Sequence, residues 1–193
     1  MERNNLYPIF LKVHQLNVLI IGGGKVALEK LSFMLKSSSN AQITMIALEF
    51  LDELIVLAEK HDVLLVHNTV YSHTVLQDYH LVIAATNNYK VNKQVYNDAK
   101  RRNLLVNVAD TPDLCDFYLG GIVTKENIKI AISTNGKSPT MAKRLREFFE
   151  DVIPEEIDDL AQNLNRFRKE IKGDFAAKVS KLNKLTKGLL TES

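Results

Sequence analysis

The chain of 193 residues is long enough for one large domain or two small ones. Its 46% hydrophobic and 25% charged residues, with a net charge of +2, are those of an ordinary globular protein and select neither for nor against a nucleic-acid partner. No apolar run approaches the length of a membrane span, and the opening Met-Glu-Arg-Asn-Asn lacks the apolar core of a secretion signal.

In chain order, Val18–Ile21 reads as a buried strand that runs into Gly22, Gly23 and Gly24. A helix follows, with Leu28, Leu31, Met34 and Leu35 on one face. After the Ser37-Ser38-Ser39-Asn40 turn come a second strand, Ile43–Ala47, and a helix over Phe50–Lys60 with Leu51, Leu54, Leu57 and Ala58 on one side. Val63–Val66 is a third strand and His80–Ala85 a fourth. A helix with Val91, Val95 and Ala99 facing inward leads to a fifth, Leu104–Val108. Strands that alternate with helices predict right-handed βαβ units and a doubly wound parallel sheet, and their near-continuous apolar character fits burial on both faces. Beyond Pro112 the pattern changes. Phe117–Val123 and Ile128–Ser133 predict an antiparallel hairpin around Lys125-Glu126-Asn127. Ser138-Pro139 predicts a capped helix start, with Met141, Leu145, Phe148 and Phe149 on its apolar face opposite Lys143, Arg144 and Arg146. Two more helices, broken near Gly173-Asp174, fill the remainder. The expected division is residues 1–113 for the α/β domain, 114–150 for the hairpin and helix, and 151–193 for the C-terminal helices.

The residues with chemical potential cluster at strand ends. Gly22, Gly24 and Ala27 fill the G-x-G-x-x-A spacing of a dinucleotide-binding turn. There the first glycine permits the bend, the second lets backbone approach a pyrophosphate, and the small third residue lets helix pack on strand. The free N–H groups of the helix start face the anion. Past the second strand stand Ala47, Leu48 and Glu49 with no nearby arginine. A carboxylate there suits an adenosine ribose and favours NAD over NADP, while the first turn of the next helix is an equal use for Glu49. Thr86 and Asn87 end the fourth strand, where they fit either ligand contacts or an ordinary turn. Asp110 ends the fifth, either as a base or electrostatic anchor or as a turn residue before Thr111-Pro112, with Asp113 and Asp116 nearby as rivals. Ser133, Thr134, Lys137 and Ser138 form a polar loop at a helix start that suits a carboxylate or phosphate, or serves as a plain cap. Cys115 is the only cysteine, which excludes an intrachain disulfide, agrees with a reducing cytoplasm, and reads as a packed thiol. The histidines at 14, 61, 67, 73 and 80 show no metal-ligand spacing, so no metal site is expected.

Five ordered segments carry a resemblance. They are Tyr-Pro-Ile-Phe-Leu-Lys at 7–12, the Gly-Gly-Gly-Lys-Val-Ala turn, Ala-Ala-Thr-Asn at 84–87, Asn-Val-Ala-Asp-Thr-Pro-Asp-Leu-Cys-Asp-Phe at 107–117, and Ile-Ser-Thr-Asn-Gly-Lys-Ser-Pro at 132–139. Over residues 6 to about 150 the chain resembles the precorrin-2 dehydrogenase family of sirohaem biosynthesis, including the N-terminal module of multifunctional sirohaem synthases. The resemblance implies NAD-dependent oxidation of precorrin-2 to sirohydrochlorin. It also implies a homodimer built through the hairpin and helix, with the active site between the NAD-binding and dimerisation parts. The functional aspartate then falls on Asp110, and the cofactor contacts on Gly24, Lys25 and Val26, on Leu48 and Glu49, and on Thr86 and Asn87. Some relatives also insert ferrous iron, and others leave that step to a separate chelatase. A cofactor-sensing regulator is a further alternative, though no helix-turn-helix is evident. Two departures stand out: Gly120-Gly121 where relatives commonly carry a proline, which adds backbone freedom at the hairpin start, and Asn135 where a glycine is common.

Overall fold

The computed structural model describes residues 4–187. Five parallel strands, β1 (Asn17–Ile21), β2 (Gln42–Ile46), β3 (Leu64–Val66), β4 (Leu81–Ala84) and β5 (Leu105–Val108), form one sheet in the order β3-β2-β1-β4-β5. Helices α1 (Lys25–Ser37), α2 (Asp52–Lys60) and α3 (Tyr89–Arg101) connect them. The direction of strand order reverses between β1 and β4, which makes the carboxyl end of that pair the topological switch point.

Side-chain alternation along the strands builds a core on each face of the sheet. Val18, Ile20, Ile43, Met45, Leu81 and Ile83 pack with Ala27, Leu31, Met34 and Leu35 of α1 and Leu54 and Ala58 of α2. Leu19, Ile21, Val82, Ala84, Val106 and Val108 pack with Val95 and Ala99 of α3. Every residue of β1 from Val18 to Ile21 is buried, the continuous apolar run expected of a central parallel strand. Each fully buried Leu or Ile contributes about 1.5–3 kcal/mol.

The outer edge of β5 is closed by side chains in place of a sixth strand. Asp116 donates its N–H to the Val106 carbonyl (2.8 Å) and accepts the Val106 N–H on its carboxylate (3.1 Å). The Cys115 thiol takes the Val108 N–H (3.3 Å), and the buried Asn107 amide donates to the Phe117 carbonyl (2.8 Å). A potential docking edge is thereby covered.

The chain divides into two compact units. The first comprises the residues through Gly120 together with Ser133–Pro139, and the second comprises Gly121–Ile132 and the residues from Thr140 onward. In the second, β6 (Gly121–Lys125) and β7 (Ile128–Ile132) form an antiparallel hairpin closed by Glu126-Asn127, with Glu126 in the left-handed region at φ 48°. The hairpin's first strand begins later than the expected Phe117. Phe117 and Leu119 pack on the α1-side core of the first unit, so their apolar alternation belongs to that core. Gly121 is extended and pairs with Ile132; a Cβ there would stand 3.2 Å from the Ala142 carbonyl oxygen, so close approach to a helix, more than backbone freedom, is its use.

Helices α4 (Pro139–Val152), α5 (Ile157–Glu170) and α6 (Phe175–Thr186) follow among the described residues. The buried Asp158 of α5 clamps the hairpin turn. It accepts the Asn127 backbone N–H (3.0 Å) and side-chain amide (3.2 Å), and the Gln162 amide (2.6 Å). Lys125 pairs with Glu155. On α4, Met141, Leu145, Phe148 and Val152 form an exposed stripe, while Lys143, Arg144 and Arg146 pair with Glu147 and Glu150 of the same helix. Among the described residues no helix is long and apolar enough to cross a membrane.

Candidate dinucleotide and substrate site

The parallel register sets Ile21, Ile46, Ala84 and Val108 level with one another, so the four segments that follow them emerge on one rim. That rim carries the glycine turn, Ala47-Leu48-Glu49, Ala85-Thr86-Asn87 and Ala109-Asp110.

Each of the three glycines answers a different constraint. Gly22 has φ 131°, and a Cβ would lie 2.4 Å from the Ala85 carbonyl oxygen, so both conformation and space demand glycine. Gly23 lies against the loop after β2, where a Cβ would come within 2.0 Å of the Glu49 carbonyl oxygen. Gly24 is unlike both. It is the exposed N-cap of α1, and apart from the glycine and its chain neighbours no protein atom comes within 4 Å of where its Cβ would stand. Behind it Ala27 is fully buried against the sheet, as a small residue at that position should be.

Helix starts on this rim differ in how their free N–H groups are met. Asn88 caps α3, accepting from Lys90 (3.0 Å) and Val91 (3.3 Å). Helix α2 carries Asp52 and Glu53 in its first turn. Helix α1 has no side-chain cap and no acid in its first turn, which leaves Lys25 and Val26 presenting backbone donors and the positive helix end beside the open Gly24. A dinucleotide pyrophosphate fits this cradle on donor type, charge and space.

The neighbouring segments are firmly held. Ala47 donates to Val66 (3.3 Å) and accepts from Thr69 (3.0 Å), the Leu48 carbonyl accepts from Asn68 (3.1 Å), and Leu51 donates to the Gly23 carbonyl (3.0 Å). Leu48 and Glu49 are exposed on this braced loop. Thr86 is fastened by Asn92, whose side chain accepts from the Thr86 hydroxyl (2.6 Å) and N–H (3.2 Å) and donates to the Thr86 carbonyl (3.0 Å). The Thr86 hydroxyl is thus engaged inside the protein, and Asn87 is the exposed member of the pair. Asn92 is absent from the sequence-based expectations. Its signal was a lone amide between Val91 and Val95 on the inward helix face.

Asp110 is exposed at the end of β5 with its backbone in the left-handed region, φ 58°, a conformation that aspartate tolerates better than most residues. Its two rivals have other employment. The Asp116 carboxylate is bonded to the Val106 N–H and to Lys100 (2.6 Å), raising the Lys100 pKa, and Asp113 lies in the first turn of the short 3-10 helix Pro112–Leu114. Burial pushes the Cys115 thiol up from its ordinary value, against a smaller opposing effect of the Val108 backbone, so it suits edge closure better than nucleophilic attack.

Ser133–Pro139 belongs to the first unit. The Thr134 hydroxyl accepts the Ser138 N–H (3.2 Å) and donates to the Ser138 carbonyl (3.1 Å), and the Ser133 hydroxyl accepts the Asn135 N–H (3.2 Å). These hydroxyls shape the loop, while Lys137 is exposed. Asn135 and Gly136 both have positive φ, at 55° and 72°, which explains how asparagine replaces glycine there.

A groove of about 920 Å³ opens at the other end of the sheet, lined by Asn17, Gln42, Lys60, His61, Asp62 and Tyr79 among others. It lies by the amino ends of β1 and β2, whereas ligands of open parallel sheets settle at the carboxyl ends. No group of three or more His, Cys, Asp or Glu is gathered for a metal ion among the described residues.

Comparisons with known proteins agree with this architecture. The family model described as putative NAD(P)-binding matches residues 9–121, and the one described as sirohaem biosynthesis protein central matches residues 125–151. A sirohaem synthase of Pseudoalteromonas translucida (strain TAC 125) is 43% identical over 168 residues, 87% of this chain and 35% of that protein. One of Psychrobacter arcticus (strain DSM 17307 / VKM B-2377 / 273-4) is 39% identical over 180 residues, 92% of this chain and 31% of that protein. The chain therefore spans about a third of the length of these relatives. Among solved structures, SirC, a precorrin-2 dehydrogenase, superposes with a TM-score of 0.76 at 22% identity, covering 93% of this chain and 89% of that one, and shows the shared fold.

Proposed function

The chain belongs to the putative NAD(P)-binding family, and on that premise we propose that it is an NAD-dependent dehydrogenase that oxidises precorrin-2 to sirohydrochlorin in sirohaem biosynthesis. The observation that carries the reading is the uncapped start of α1 beside the open Gly24, on the same rim as Asp110. The sirohaem synthase relatives and the central sirohaem segment support the choice of substrate.

Backbone donors of Lys25 and Val26 would hold the pyrophosphate, with Ala27 packing the helix on the sheet, Gly22 and Gly23 would shape the turn, and Glu49 and Leu48 would meet the adenosine end. Thr86 and Asn87 line the switch point. When bound, the nicotinamide supplies the hydride acceptor. The oxidation removes one hydride and one proton from the macrocycle, and Asp110 is the group we assign to take that proton and pass it to solvent. The exposed Lys137 ammonium, on the loop shaped by Ser133, Thr134 and Ser138, suits the carboxylates on the substrate rim.

Residues 1–113 serve as the NAD-binding part, 114–150 as the dimerisation part and 151–193 as a C-terminal part that holds α5 and α6, with residues 1–3 and 188–193 outside the described residues. The exposed Met141, Leu145, Phe148 and Val152 stripe follows a 4-3-4 spacing, the seam of a helix pair, and supports a homodimer. We place the protein in the cytoplasm, and a separate chelatase then acts on its product.

The test supplies precorrin-2 and NAD anaerobically and follows the macrocycle spectrum and NADH together. Equimolar sirohydrochlorin and NADH are expected; no NADH refutes the reading. Ferrous or cobalt ion added afterwards extends the activity to chelation only if uptake outruns the protein-free rate.

A further inference from the structure

The dehydrogenase reading leaves open what makes one dinucleotide preferred. We infer that Gly23 is a specificity-positioning residue, which sets the choice between NAD and its 2′-phosphorylated form by fixing the Glu49 loop against the phosphate turn. The inference rests on the dinucleotide reading of the rim.

Gly23 is joined to the loop on two sides. Its carbonyl accepts the Leu51 N–H at 3.0 Å. Its α-carbon faces the loop so closely that a Cβ would stand 2.0 Å from the Glu49 carbonyl oxygen, 2.9 Å from the Glu49 carbonyl carbon and 3.0 Å from the Ala47 Cβ. All three atoms belong to a loop that is itself fastened, through Ala47 to Val66 and Thr69 and through the Leu48 carbonyl to Asn68. The Phe50 ring adds an edge contact to His67, with centroids 4.9 Å apart. Next door, the Gly22 N–H donates to the Ile46 carbonyl at 2.9 Å. The turn that cradles phosphate and the loop that carries the exposed Glu49 carboxylate are therefore one continuous backbone body.

Gly23 does not owe its identity to a left-handed backbone, and the open space for a ligand lies beside Gly24. Its lack of a side chain serves the loop. Glu49, so placed, offers a carboxylate to a ribose hydroxyl pair and repels a 2′-phosphate at the same point. A displaced loop loses both effects at once.

The experiment measures the dissociation constants of NAD and NADP for the full chain, without tetrapyrrole, by titration calorimetry. For the native chain NAD is expected to bind at least about tenfold tighter than NADP, since the Glu49 carboxylate repels a 2′-phosphate even through solvent screening. In Gly23→Ala the ratio is expected to fall to within about threefold of unity, as the Cβ forces the Glu49 carbonyl away by roughly 1.5 Å to reach ordinary contact. Simple loosening of the phosphate turn weakens both ligands by one common factor and keeps the ratio, which would overturn the inference.

Leu51→Pro provides a second route should Gly23→Ala fail to fold. Leu51 sits at φ −63°, the value proline fixes, so this change deletes the N–H to Gly23 and keeps the glycine. It is expected to move the ratio in the same direction, and an unchanged ratio refutes the coupling. Glu49→Gln alone should collapse the ratio, and adding Gly23→Ala to it should shift the ratio no further; a further shift means Gly23 acts by another path, against the inference. A native chain that binds neither dinucleotide overturns the NAD reading of the rim itself, an outcome distinct from the ratio tests.

Discussion

Replacing Asn92 by leucine tests whether the rim is held from behind. The buried amide makes three bonds to one residue, accepting from the Thr86 hydroxyl and N–H and donating to the Thr86 carbonyl. The leucine keeps the branched shape, with bulkier methyl ends, and makes none of them. The hydroxyl still has the Asn88 carbonyl at 3.2 Å, so the loss falls on the backbone N–H and C=O of Thr86. Thr86 is half-buried, so each orphaned group costs near the lower end of about 1–3 kcal/mol, or ~2–3 kcal/mol for the pair. At ~2–4 °C per kcal/mol for a chain of this length, the melting temperature should fall by roughly 5–10 °C in a circular dichroism melt. Dinucleotide affinity should fall with it, because the Thr86–Asn87 segment loses its brace. Thr86→Val should cost about 1 kcal/mol more in the native background than in the Asn92→Leu background, where only the hydroxyl's bonds to Asn88 remain to be lost, an interaction of about 1 kcal/mol in the double-mutant cycle. A loss of less than about 0.5 kcal/mol for Asn92→Leu, or additive effects of the two changes, would refute the bracing role.

Other outcomes follow from the same geometry. Gly24→Ala should melt within about 2 °C of the native chain while losing dinucleotide binding, because its Cβ meets only the space a ligand would fill, whereas Gly22→Ala should fail to fold stably; similar melts for the two would contradict the division of roles. Asp110→Asn retains a residue type at home with positive φ, so NAD titration should be unchanged while turnover drops by about 10²–10⁴-fold; normal turnover removes Asp110 from the chemistry. The Gln162 amide, then the Asn127 amide and N–H, hold the Asp158 carboxyl below the usual carboxylate range, so its stabilising effect is complete above that range and is lost as pH falls through the depressed value. Asp158→Asn should therefore weaken the chain at pH 7 and leave it less sensitive to acid in urea unfolding; an unaltered acid limb would count against the clamp.

The order of strands and helices was readable because period and punctuation agreed along the first hundred residues. Fully apolar strands, one-sided helices and glycine at the first strand end leave little choice of architecture. What escaped was any bond between residues distant in sequence or of a type that propensity ignores. Phe117 and Leu119 alternate like strand residues, and nothing local says that their side chains enter the earlier core. Cys115 and Asp116 look like rivals for chemistry until their bonds to Val106 and Val108 show them closing a sheet edge. The glycine triplet has the spacing of a cofactor turn, yet the distinct reason for each glycine emerged only from its surroundings, the carbonyls of Ala85 and Glu49 among them.

The division into two units has a practical consequence for dissecting this chain. Backbone passes from the first unit to the second at Gly120, returns for Ser133–Pro139, and leaves again at Thr140. No single scission can release either unit whole. A fragment stopped at residue 120 forfeits Thr134, Lys137 and Ser138, and one begun at residue 121 carries that heptapeptide away from the fold it joins. A separately expressed nucleotide-binding half therefore needs a short linker in place of the hairpin, with residues 133–139 retained at its far end.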